Sequence, residues 1–303
     1  RQAARAGRTA PRHVFLISLD TLRADRCGFM GYAKPTTPFL DELAARGVVF
    51  EQHFTHSNNT LTAHASILTG LHPLAHAVEH EPGADGERRG LAPGFDTLAE
   101  AFAVEGWATA AFTAHKAWLG GRFGLDQGFE VMDAAWRDAP AVGDAFVKWH
   151  EARAPARFFA FLHFFDAHSD VAARGATLPY ESTDELVEQF AGPPPPGFTG
   201  RREREPLKGC CTDWLRAVHE GREPLPDAHR EHVSGLYDAG IAKLDRDLRA
   251  FFGRLEALGV RVDPDLEKHH GGNAPGYMLT EVFEGAAEPE LIQPTFVTYF
   301  PAA

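Results

Sequence analysis

Three apolar runs stand out along the chain, at residues 13–19, 108–112 and 157–165. Each is of strand length and gives way to polar residues. Their unbroken apolar character predicts buried strands. Val48-Val49-Phe50 predicts one more short strand. Between the runs the spacing turns helical. Residues 36–47 predict a helix with Thr36 or Thr37 as N-cap, Pro38 in its first turn and Gly47 past its end. Residues 60–70 predict a loop, a helix and a glycine stop. Residues 95–105 predict a helix closed by Gly106, and 141–152 another. His229 to Leu258 predicts a long amphipathic helix ended by Gly259. Strands alternating with helices predict an α/β domain built on a mainly parallel sheet flanked by helices.

The rhythm covers residues 13–260, with a break at 169–229. There Pro193-Pro194-Pro195-Pro196-Gly197 and Arg201-Arg202-Glu203-Arg204-Glu205 predict an irregular surface insertion. Residues 1–12 are basic and Ala-rich, like a linker or a trimmed start. The 303 residues suit one large α/β domain, and a hydrophobic content of 44% is enough for a sizeable core. No run approaches the ~20 apolar residues of a membrane helix, so no membrane segment is expected in the chain. The compartment stays open.

The formal charge of -12 argues against nucleic-acid binding and against anionic membranes, which want a basic face. An acidic protein still takes an anionic ester when a metal and a few His or Lys residues focus positive charge locally. The three cysteines, Cys27, Cys210 and Cys211, make neither a disulfide framework nor a zinc pattern. The chemistry therefore falls to residues at strand ends. Asp20 closes the first run. Thr60 opens a helix. His115 and Lys116 follow the second run, and Asp166-Ala167-His168 follows the third. Open α/β sheets place their sites at such strand ends.

Several segments in order and spacing resemble the sulfatase family of the alkaline phosphatase superfamily. They are Leu16-Ile17-Ser18-Leu19-Asp20-Thr21-Leu22-Arg23-Ala24-Asp25, Thr36-Thr37-Pro38, His64-Ala65-Ser66-Ile67-Leu68-Thr69-Gly70, Arg122-Phe123-Gly124-Leu125-Asp126-Gln127-Gly128-Phe129, His163-Phe164-Phe165-Asp166-Ala167-His168 and Tyr237-Asp238-Ala239-Gly240-Ile241 through Asp245. The resemblance implies an alkaline-phosphatase-like fold over about residues 13–260. It implies hydrolysis or transfer of sulfate or phosphate esters with a divalent metal: calcium, magnesium, manganese or zinc. By position, Asp20 resembles the first metal carboxylate, and Thr60 the nucleophile and a metal ligand. His168 resembles the histidine at the substrate anion or leaving group. His115 and Lys116 fall near anion-binding groups. A hydroxyl is a poor nucleophile unless a metal or base activates it, which is the chemistry such a metal supplies.

Two departures shape the expectation. Many family members carry Cys/Ser-x-Pro-x-Arg and convert the first residue to formylglycine. Here the segment reads Thr60-Leu61-Thr62-Ala63-His64, so no formylglycine is expected and phosphate esters come forward. The Asp-His turn that completes the family's metal site has no match in 259–303. Instead residues 261–303 resemble a fragment of class II lysyl-tRNA synthetases, without an ATP-binding motif. The sulfatase-like domain is thus expected to be C-terminally incomplete with an atypical, chimeric tail. The competing reading is a non-catalytic binding or scaffold protein, or a fragment with no activity. Among the remaining histidines, His163 reads as a hydrogen-bonded core residue, and His64, His72, His76 and His80 as solvent-facing loop residues.

Overall fold

The structure, a computed structural model, describes residues 12–169, 180, 182–198 and 211–260, with side chains left out at 211–214. The tail 261–303, nearly all of the basic start and the Arg201–Glu205 run lie outside the described residues.

Four parallel strands form the described sheet, in the order β1-β4-β2-β3. They are β1 (His13–Leu19), β2 (Ala108–Thr113), β3 (Val131–Ala134) and β4 (Phe158–Phe164). The helices are α1 (Pro38–Ala44), α2 (Thr60–Thr69), α3 (Pro73–His76), α4 (Leu98–Val104), α5 (Ala139–Arg153), α6 (Asp184–Phe190), α7 (Cys211–His219) and α8 (Asp227–Ala257). The three expected strands are neighbours in one sheet, and the α/β class stands. β2 and β4 are buried throughout. β1 is only half-buried, because it forms the edge of the described sheet.

Side chains along a strand alternate between faces, and the two faces meet different helices. Phe15, Ile17 and Leu19 of β1, Ala160, Leu162 and Phe164 of β4 and Phe112 of β2 pack with Val142 and Phe146 of α5 and Leu244, Leu248 and Phe251 of α8. Leu16, Ala111 and Phe161 face the other way, onto Leu61, Ala65 and Leu68 of α2. Burying such a side chain contributes roughly 1.5–3 kcal/mol. The residues Ser18, Asp20 and His163 share the parity of Leu16 and Phe161. They lie on the α2 face.

Local chemistry sets the helix ends. Thr97 and Glu100 form a reciprocal capping box at α4. Asp138 accepts the Ala141 N–H at the start of α5. The start of α1 is capped from afar: both Asp245 oxygens accept backbone N–H groups, from Phe39 at 2.8 Å and Leu40 at 2.9 Å. Asp245 on α8 thus replaces the expected threonine cap, whose side chain does not cap the helix.

Other differences have physical reasons as well. Val48-Val49-Phe50 forms no strand. Val48 and Phe50 stay exposed, and among the described residues no strand pairs with them. β3 was not expected, since Val131–Ala134 is short and half-buried. The break at 169–229 contains α6 and α7. α6 lies along α8, with Leu186 and Phe190 buried against Ala239 and Ala242.

Candidate active site

The first half of the site is built by β1 and β4. Asp20 continues β1, and its N–H donates to the Phe164 carbonyl at 2.9 Å, so the carboxylate leaves the sheet at its C-terminal edge. The second half comes from α2. Thr60 is the first residue of that helix, behind an extended Asn59. The first N–H groups of a helix have no acceptor inside it, so Thr60 sits where an anion is favoured.

The two halves meet directly. Thr60 Oγ1 donates to Asp20 Oδ2 at 3.0 Å, and His163 Nε2 donates to the same oxygen at 3.1 Å. The His163 ring is fully buried, and its Nδ1 meets no hydrogen-bond partner among the described residues. Burial pulls the Asp20 carboxyl upward, but the hydrogen bond and charge of His163, with the charges of His64 and His168, outweigh it and hold it at about 2. Asp20 is therefore anionic at neutral pH.

His64 ties the halves together a second time. Its Nδ1 lies 2.7 Å from the Thr60 carbonyl, which only accepts, so Nδ1 carries the proton. Its Nε2, 2.8 Å from Ser18 Oγ, then accepts from that hydroxyl. Burial, followed by the charge of His163, pushes this imidazole down to about 4. His64 is thus a neutral brace between β1 and the first turn of α2.

The other expected site residues are placed less uniformly. His115 is buried behind the end of β2, where its Nδ1 accepts the Trp118 N–H at 3.3 Å. Burial and the charge of His163 lower it to about 4, so it offers a neutral ring at pH 7. His115 packs against Phe165 and Trp136 with ring centroids at 4.7 and 4.3 Å. His168 stacks on the same Phe165 at 4.1 Å and is near enough for its charge to act on Asp20. Lys116 is exposed, and no contact described here joins it to Asp20 or Thr60.

Two residues belong to this centre that sequence reasoning placed elsewhere. His163 was expected as a core histidine. It is one, but its partner is the site carboxylate. His64 was expected in solvent and is buried. His76 is buried too, with Nε2 2.9 Å from Ser66 Oγ and Nδ1 accepting the Val78 N–H. The period-2 parity of Ser18, Asp20 and His163 was the signal available for His163. The four-residue step from Thr60 to His64, one helical turn, was the signal for His64.

The sulfatase family profile matches residues 12–263. The chain belongs to the sulfatase family. A stretch of 107 residues is 32% identical to arylsulfatase A from Bos taurus, covering 35% of this chain and 21% of that protein. Among solved structures, this sulfatase-family domain resembles the phosphonate monoester hydrolase of Agrobacterium radiobacter. The TM-score is 0.55 at 18% identity, over 82% of this chain and 60% of that one. It also resembles the C-terminal periplasmic domain of phosphoethanolamine transferase EptC from Campylobacter jejuni. There the TM-score is 0.53 at 14% identity, over 83% and 66% of the two chains. The corresponding Escherichia coli domain, in complex with Zn, gives 0.53 at 15% identity, over 84% and 62%. At these identities the structures establish the fold. Among the described residues no helix is long and apolar enough to cross a membrane.

Sulfatase-family enzymes generally use divalent metals, and one structural neighbour is a zinc complex. Against that need, this centre offers one carboxylate, Asp20, and one hydroxyl, Thr60. Among the described residues no group of three or more His, Cys, Asp or Glu side chains is placed to hold an ion. Zinc takes about four ligands and calcium about six to eight. The described donor set does not fit the ion by itself.

Proposed function

We propose that this domain hydrolyses or transfers anionic esters, phosphate before sulfate, with Thr60 as the nucleophile. The observation that carries the reading is the hydrogen bond from Thr60 Oγ1 to the Asp20 carboxylate at the N-terminus of α2. In this reading the anion sits against the first N–H groups of α2. Thr60 Oγ attacks the central phosphorus or sulfur, forming one bond as the bond to the leaving oxygen breaks. Asp20, its carboxyl held at about 2, accepts the Thr60 hydrogen bond and aims the hydroxyl, whose proton passes to water as the new bond forms, and His163 and His64 hold that pair in register. His168 gives a proton to the leaving oxygen. His115 and Lys116 line the anion side, His115 as a neutral hydrogen-bonding ring. A water or an acceptor alcohol then releases the group from Thr60.

Thr60→Ala tests this reading. Turnover of an aryl phosphate, a phosphonate monoester or an aryl sulfate is expected to fall on the order of a thousandfold or more, because Ala offers no nucleophile. Mass spectrometry is expected to show unmodified Thr60. Undiminished turnover in Thr60→Ala refutes the assignment. A second reading, a binding domain that keeps the fold without turnover, is favoured by the short donor set around Asp20. The two separate on whether the unaltered chain releases product above background.

A further inference from the structure

Thr21, directly after Asp20, has φ 61°. A β-branched residue in the left-handed region is an outlier that persists only where its surroundings over-determine it. Two ties hold Thr21. Its Oγ1 donates to the Ala167 carbonyl at 2.9 Å, beyond the end of β4. Its own carbonyl accepts the hydroxyl of Tyr237, 2.5 Å away on α8. The same hydroxyl accepts the Arg23 N–H at 3.0 Å. Tyr237 thus spans 216 residues to close the turn through which β1 delivers Asp20.

We propose that Tyr237 is a positioning residue for the Asp20–Thr60 pair: its hydroxyl locks the left-handed Thr21 turn and so fixes where Asp20 presents Oδ2. The proposal deepens the functional reading above and rests on it for its catalytic consequence. The neighbouring Asp238 makes a natural contrast. It is fully buried and accepts from Arg26, Tyr32 and Lys34, at 3.1, 2.7 and 3.0 Å. Those bonds dock α8 on the same loop without touching Thr21.

The test compares Tyr237→Phe, which removes the hydroxyl bonded to Thr21 and Arg23, with Tyr32→Phe, which removes the hydroxyl bonded to Arg26 and to the adjacent α8 residue Asp238. Nitrogen-15 histidine spectra read the His163 Nε2–H that donates to Asp20. Tyr237→Phe is expected to shift that resonance or lose it to water exchange, and Tyr32→Phe to leave it in place. With an aryl phosphate, Tyr237→Phe is expected to lower kcat on the order of tenfold with KM unchanged, and Tyr32→Phe to alter neither. An unmoved resonance in Tyr237→Phe, or an equal shift in both variants, overturns the proposal. If the unaltered chain turns over nothing, the functional reading falls while the spectra still decide this one. If Tyr237→Phe does not fold, Thr21→Gly in that background is expected to restore folding, since Gly takes φ 61° unaided. Failure of that rescue also overturns the proposal.

Discussion

His64 shows how one side chain joins backbone, packing and charge. Its Nδ1–H answers the Thr60 carbonyl one turn back, its Nε2 answers Ser18, and burial keeps it neutral. The consequence is a pH dependence with a definite sign. His64 and His115 both sit at about 4 in the fold against an ordinary 6.5, so the unfolded chain binds more protons in between. Their stabilisation is complete above pH 6.5 and is lost as pH falls toward 4, on the order of 3 kcal/mol per ring. Asp20 adds its own loss only lower, as pH falls from 3.8 toward 2. Melting curves between pH 7.5 and 4.5 are expected to show a steady drop in Tm that shrinks in His115→Phe. A flat Tm over that range contradicts the burial assigned to these rings. Asp20 and Thr60 were legible as candidates because each stands at an element boundary. The strand parity of His163 and the one-turn step from Thr60 to His64 were legible as well, but their partners Asp20 and Ser18, 143 and 46 residues away, were not.

At the scale of elements, α8 does more than cover the sheet. It packs Leu244, Leu248 and Phe251 into the core, caps α1 through Asp245 and reaches the Asp20 turn through Tyr237. It also carries α6 at close range. A Cβ on Gly235 would lie 2.5 Å from both the Ala191 Cα and the Phe190 carbonyl oxygen. These are backbone atoms, which cannot swing aside. Gly235→Ala is therefore expected to cost about 1–3 kcal/mol and to separate α6 from α8. Denaturant melts with hydrogen exchange on α6 measure both effects, and an unchanged midpoint removes the contact from the account. Helix periodicity disclosed α8 almost to its ends. That it meets α6 at a glycine is a property of two surfaces, and no periodicity contains it.

For the molecule as a whole, the parallel sheet brings its carboxyl-side edge to one place. Asp20, His115, Trp136 and His168 all follow strand ends there, from four different strands. The described part of this edge supplies too few donors for a firmly held ion. Calorimetric titration of the full chain with calcium, magnesium, manganese and zinc is expected to give at most weak, millimolar binding. Micromolar binding that disappears in Asp20→Asn would show that residues beyond the described ones complete the ligand set.

Taken alone, the order of apolar runs, helix stops and motif segments determined the α/β class, the three principal strands, the family and the two residues that meet at its centre. These are local signals: a period, a cap, a residue at an element's end. The tertiary structure alone decided that β4 lies between β1 and β2, that Asp245 caps α1, and that His163 and His64 brace Asp20 and Thr60. Each of these depends on groups distant in sequence meeting at hydrogen-bond range. Only the packing of helices on both faces of the sheet brings them there.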